Sequence, residues 1–175
     1  MVNVLYQHPQ LHTDNIRSNF DQFPWEWPPA EDLRPWQKGT TGIPMVDAGM
    51  RQLWHTGYMH NRVRMITASF LVKNMLAHWR LGEQWFWDTL VDADEASNPG
   101  SWQWVAGCGT DAAPYFRVFN PVVQAEKFDA DGSYRATWIP ELGTDAYPEP
   151  IVDLAETRAR ALSAFEVTKA VSPAG

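Results

Sequence analysis

The 175-residue sequence predicts an all-α fold, and three observations carry that prediction. Apolar residues recur at helical spacing in several windows. No window alternates apolar and polar residues as a half-buried strand would. Gly and Pro punctuate the periodic segments, with Asn-Pro pairs at two of the breaks. An apolar content of 45% with 20% charged residues is that of a globular chain, and the length suits one domain with one core.

Residues 1–43, rich in Pro, Trp and polar side chains, are expected to wrap the surface irregularly. Pro44 then occupies a favourable first helical position. Val46, Met50, Leu53 and Trp54 mark an apolar stripe over 45–56, which Gly57 ends. The longest predicted helix spans 60–81. Val63, Ile66, Phe70, Met75 and Leu76 keep helical spacing there, no Gly or Pro intervenes, and Gly82 is read as the stop. Met65, Leu71, Val72 and Trp79 on its other faces predict burial on several sides. Short helices are expected over 83–91 and 102–107, separated by a turn at Asn98-Pro99-Gly100. The run from Gly107 through Cys108 and Gly109 to Thr110 reads as a second break. Asn120-Pro121 opens a helix in FNPVVQAEKF, Asp131-Gly132 forms a turn, and 151–169 makes a final helix with Ala and Leu inside.

A net charge of −7 argues against general affinity for phosphate backbones. The charge is unevenly placed, however. Residues 48–82 carry Arg51, Arg62, Arg64, Lys73 and Arg80 with no acid, whereas 83–95 carry five acids and no Lys or Arg. Such blocks are either solvated or mutually paired faces, or a basic surface for a polyanion beside a carboxylate-lined site. Cys108 is the only cysteine, which leaves neither a disulfide framework nor a thiolate metal site. From residue 44 onward, His55 and His60 are five apart and His78 is alone, so no histidine pair there has metal-ligand spacing. No apolar run approaches membrane-span length, and the opening residues lack a secretion signal pattern, so a cytoplasmic setting is expected. Ser69, Ser97 and Ser101 have no nucleophile context, and no glycine-rich phosphate loop precedes a helix. Ten tryptophans are the most unusual feature, most of them expected in the core. The stretch DADEASNPGSWQW sets an acidic turn against two indoles, as the wall of a site for a planar ligand would.

The run from TTGIPMVDAGMRQLWHTGYMHNRVRMITASFLVKNMLAHWRLGEQWFWDTL through VDADEASNPGSWQWVAGCGTDAAPYFRVFNP resembles the FAD-binding domain of the DNA photolyase/cryptochrome family. QAEKFD, WIPEL, YPEPIVD and ETRARAL continue the match, which is nearest to class I cyclobutane pyrimidine dimer photolyases. The resemblance implies a partial FAD-binding domain over 1–175. Residues 1–43 would be its leading segment, 44–130 the helices of the flavin and DNA sites, and 131–175 its carboxy-terminal helices.

It further implies that Asp92, Ala93 and Asp94 contact the flavin, that Asn98 faces its N5, and that Arg64 pairs with Asp92. A neutral amide at N5 would tune the cofactor's redox state by accepting or donating a hydrogen bond. Trp102 and Trp79 match the inner electron-transfer tryptophans. Trp25 best matches the surface member, with Trp27 as a substitute. Asn61, Arg62 and Met65 match residues at the flipped dimer and its phosphate, and Gln124 matches a further DNA contact; Asn61 and Met65 share one helical face. The paired histidines of six-four photolyases are absent. The implied activity is repair of cyclobutane pyrimidine dimers in DNA, driven by blue light and reduced FAD. An antenna chromophore is implied only for a full-length relative. A cryptochrome-type photoreceptor and a non-catalytic remnant are the alternative readings.

Three departures stand out. The match covers roughly the last third of a full-length member, without the antenna domain, the Ser/Thr-rich flavin-phosphate segment or the Glu/Trp motif that grips the lesion. This implies weak FAD binding and slow or absent repair by the chain alone, and pairing with a missing amino-terminal part. Tyr58 stands where many members have Trp, and Asn98 is followed by Pro-Gly-Ser rather than Gly-Gly.

Overall fold

The computed structural model describes residues 10, 14, 15, 18–95, 97–106 and 118–170. These form a 3₁₀ turn at Ser18–Gln22 and eight α-helices: α1 Ala30–Lys38, α2 Pro44–Thr56, α3 Asn61–Ser69, α4 Trp79–Thr89, α5 Ser97–Ala106, α6 Pro121–Phe128, α7 Ser133–Trp138 and α8 Leu154–Ala170. A π-helical turn, Phe70–Asn74, follows α3. Among the described residues the only β pairing is an isolated bridge between Glu26 and Ala77. The predicted all-α class holds. The expected break at 107–110, Cys108 included, lies outside the described residues.

Helix α2 is the hub, packed against α1, α3, α6 and α7. Its apolar stripe alone does not explain that role: Asp47, Ala48 and Gly49 are buried as well as Met45, Val46, Met50 and Leu53. Small residues let α3 approach on one side, where Val63 lies against Gly49. On the other side Asp47 gathers hydrogen bonds from the Thr41 N–H and hydroxyl, the Gly42 N–H and the Tyr147 hydroxyl. The Ile151 N–H also donates to the Thr41 carbonyl, so the carboxy-terminal stretch is fastened to the turn before α2. Gly42, at φ +78°, lets that stretch in, since a Cβ there would lie 2.4 Å from the Glu149 carbonyl. Helix α8 docks on the π turn, where Asn74 donates to the Thr157 hydroxyl and Arg160 to the Asn74 carbonyl.

Four expectations are corrected. The leading segment 1–43 is not irregular throughout, because it contains α1. Leu33 and Trp36 of α1 are buried, and the Trp36 indole donates to the Thr67 carbonyl on α3. The helix expected over 60–81 is broken. It widens into the π turn and then leaves helical geometry at 75–78, where Leu76 has φ +51°. A left-handed leucine costs roughly 1–2 kcal/mol. Two backbone hydrogen bonds to Glu26, its N–H to the Leu76 carbonyl and the His78 N–H to its own carbonyl, hold the break in place. Gly82 therefore ends nothing; it lies inside α4, which His78 opens by accepting a hydrogen bond from the Arg80 N–H. Asn98-Pro99-Gly100 is not a turn between helices but part of the opening of α5. Pro fits there because the first N–H groups of a helix lack intrahelical partners. The short α7 carries no buried residue, and no periodic signal marked it.

Candidate functional site

A cleft of about 100 Å³, partly open to solvent, lies between α3, the end of α4, the 90–94 segment and α5. Two loops bring its walls together. The Val91 N–H donates to the Gly57 carbonyl, which ties the end of α2 to the segment after α4. Asp94 accepts from the Ser97 N–H and so sets the start of α5. One wall is apolar, made by Ala68, Phe86, Leu90, Trp102 and Val105. Polar side chains from the same elements also line the cleft: Asn61, Arg64, Asp92, Asp94, Ser97 and Asn98.

Of the residues singled out above, Asn61, Arg64, Met65, Asp92, Ala93, Asp94, Asn98 and Trp102 all line this cleft. Arg64 Nη2 lies 2.9 Å from Asp92 Oδ2, and its Nε donates to the Met59 carbonyl at 2.6 Å. The guanidinium also sits 5.5 Å from the centre of the Tyr58 ring. The departing Tyr58 thus supports the arginine. Half of the Asp92 side chain is exposed, so the pair is a rim contact rather than a buried one. Asn98 is buried, and its Nδ2 donates to the Glu83 carbonyl at 2.9 Å. That bond uses one of the two amide N–H groups and ties the side chain to α4. Asn61 Nδ2 lies 3.8 Å from Met65 Sδ, one helical turn away.

Trp102 reaches the wall because Gly82 offers it a notch. A Cβ at Gly82 would fall 2.1 Å from Cη2 of the indole. The Trp102 ring also meets Phe86 edge-on at 4.8 Å and Trp36 at 6.1 Å, while its Nε1 is buried with no partner among the described residues. Trp79 is fully buried, does not line the cleft, and donates to Asn15 Oδ1 at 2.8 Å. Its neighbour His78 touches both surface candidates. Trp25 lies edge-on to the imidazole at 5.2 Å, and Trp27 stacks on it at 4.5 Å. Trp25 is half-buried and Trp27 is 59% exposed. Burial, aided by the Arg80 charge, lowers the His78 pKa to about 4.

Arg62 and Gln124 lie outside the cleft. The Arg62 guanidinium sits 4.7 Å above the Phe128 ring of α6, and Gln124 is one turn back on that helix with its Oε1 buried and unpartnered among the described residues. Sequence reasoning missed the apolar wall. Phe86, four residues after Gly82 on α4, was the available signal for it. Among the described residues no three His, Cys, Asp or Glu side chains could hold a metal ion, and no helix is long and apolar enough to cross a membrane.

The family model for the FAD binding domain of DNA photolyase matches residues 1–146. Deoxyribodipyrimidine photo-lyase of Agrobacterium fabrum is 48% identical over 192 residues, covering 95% of this chain and 40% of that protein. The Escherichia coli protein of the same name is 49% identical over 188 residues, covering 95% and 39%. The chain therefore spans about two-fifths of the length of these relatives. Among solved structures, a bacterial class III photolyase from Agrobacterium tumefaciens superposes with a TM-score of 0.88 at 48% identity, covering 96% of this chain and 40% of that one. A cryptochrome from Synechocystis gives 0.83 at 32% identity, with 97% and 38% covered. With that fold, that cleft and a match over most of its length, the chain belongs to the family of FAD-binding domains of DNA photolyases.

Proposed function

We propose that the cleft receives the isoalloxazine ring of FAD and that the chain is the carboxy-terminal part of a blue-light-driven lyase for cyclobutane pyrimidine dimers in DNA. One observation carries this reading: eight residues scattered from 61 to 102 converge on one cleft whose lining combines apolar and polar side chains. The lining fits the group. Phe86, Leu90 and Trp102 offer apolar surface to a flat ring, and Asn98 offers its edge an amide held in place by Glu83.

Reduced FAD, when bound, supplies the photoexcited electron that opens the cyclobutane ring. The chain's own residues have four tasks. Asn98 fixes the ring's edge, and Arg64 with Asp92 closes the rim against water. Asn61 and Met65, beside the opening, meet an extruded pyrimidine dimer, with Arg62 and Gln124 next to them for the strand. The sequence Trp25, His78, Trp79 makes an aromatic path from the surface into α4, and Trp102 packs over the same helix three residues further on. That path supports reduction of the flavin by an external reductant in solution.

The cleft recognises the ring rather than the diphosphate. Arg64 is the only cation among the described lining residues, and Asp92 already neutralises it. In the 175-residue protein, FAD is therefore expected to bind no more than about tenfold more tightly than riboflavin, a difference near 1.4 kcal/mol. Fluorescence titration with both ligands checks this. Trp102→Ala and Asn98→Ala should each weaken riboflavin about tenfold, in line with about 1.5 kcal/mol per lost ring contact or hydrogen bond. Unchanged binding in both variants would overturn the assignment.

The likeness to the Synechocystis cryptochrome supports a second reading, a blue-light receptor acting through a partner. Loss of dimers from an ultraviolet-treated oligonucleotide, in blue light and not in darkness, separates lyase from receptor.

A further inference from the structure

A second groove, of about 580 Å³, lies between α1, the end of α2 and α4. It faces away from the cleft: on α4 Phe86 lines the cleft, whereas its neighbour Trp85 lines the groove. Trp85 and Trp54 stand there as nearly parallel indoles, with centroids 5.8 Å apart and planes 7° apart. Trp54 is 65% exposed, so its outer face is open. A tryptophan placed there by core packing alone would be covered.

The charge around this pair has one sign. Arg34, Lys38, Arg51 and His55 line the groove and no acid does. Arg51 is committed to Glu141 and to the Gly39 carbonyl, and His55 stacks on Trp138. Arg34 and Lys38, four apart on one face of α1, form no ion pair among the described residues. Two cations without an ion pair beside an open indole give this groove a positive face within a chain of net charge −7, which favours an anionic ligand.

We infer that this groove is a nucleotide-binding site, in which a base stacks on the outer face of Trp54 while Arg34 and Lys38 take its phosphate. The volume lies within the range of small-ligand sites. Indole stacking tolerates any base, and paired cations make binding depend on salt. The nucleotide is either a free nucleoside phosphate or one unit of a single strand. The groove does not depend on the flavin reading, since it shares no lining residue with the cleft.

The test uses two probes on the full 175-residue protein: calorimetry with ATP, and fluorescence anisotropy of a labelled oligothymidylate of about eight nucleotides. Trp54→Ala should weaken whichever probe binds about tenfold or more, the loss of one base stack. Arg34→Glu with Lys38→Glu should weaken it at least as much and flatten its salt dependence. Adenosine, lacking phosphate, should bind about tenfold less tightly than ATP. ATP alone binding points to a free nucleotide, and the oligonucleotide alone binding points to a strand. Ser163→Ala, at an exposed position of α8 outside both pockets, should leave both affinities unchanged, and circular dichroism with melting should report intact folds. No saturable binding of either probe, or wild-type affinity in both groove variants, overturns the site.

Discussion

Gly82 and Trp102 show how one missing side chain shapes a site. The glycine lies mid-helix, where it costs about 1 kcal/mol relative to Ala, yet the indole occupies the space a methyl group would fill. Gly82→Ala is therefore expected to destabilise the protein by about 1–3 kcal/mol despite its better helix propensity, because Trp102 must move. Denaturant unfolding measures that loss. A shift in the riboflavin affinity of the folded variant would show the indole displaced from the cleft wall. Stability equal to or above wild type would mean the notch is not filled. Asn98 makes a comparable point, since a single bond to the Glu83 carbonyl ties its amide to α4.

Among the elements, the passage from α3 to α4 matters most. It could have been one long helix; instead it yields a π turn, a left-handed leucine and a new start capped by His78. The imidazole is enclosed by Trp25, Trp27 and Trp79, with Arg80 nearby, and burial is the main reason its pKa falls to about 4. The folded state therefore binds fewer protons than the unfolded state between pH 6.5 and about 4. This contribution is complete above pH 6.5 and is lost as the pH falls through that window. His78→Asn keeps a capping acceptor and removes the titration. Melting temperature measured from pH 7 to pH 4 should fall less steeply in that variant, and parallel profiles would assign the acid sensitivity elsewhere.

The whole molecule is closed by a polar latch as well as by its core. Burial pushes the Asp47 carboxyl pKa up, against four hydrogen bonds that favour the charged form. Tyr147 supplies one of those bonds from 100 residues away, which joins the segment after α7 to the hub helix. Tyr147→Phe should cost about 1.5–3 kcal/mol, the value of a hydrogen bond to a charged group. Ile151→Pro, which removes the N–H bonded to Thr41, tests the other half of the latch. Cooperative unfolding at wild-type stability in Tyr147→Phe would mean that the core alone holds this segment.

The sequence by itself determined the all-α class, the helices opened by Pro44 and by Asn120-Pro121, and eight of the residues that gather at the cleft. Periodicity, Pro at a helix start and the motif order are local or additive signals, and they survive folding unchanged. Only the tertiary structure decided where the long apolar run at 60–81 breaks, why Gly82 continues a helix, and that α1 exists within a Pro-rich segment. Each depends on a partner distant in the chain: Glu26 for Leu76, Trp102 for Gly82, Thr67 for Trp36. The Trp54–Trp85 pair belongs to the same class, since residues 31 positions apart meet only when α2 and α4 are packed.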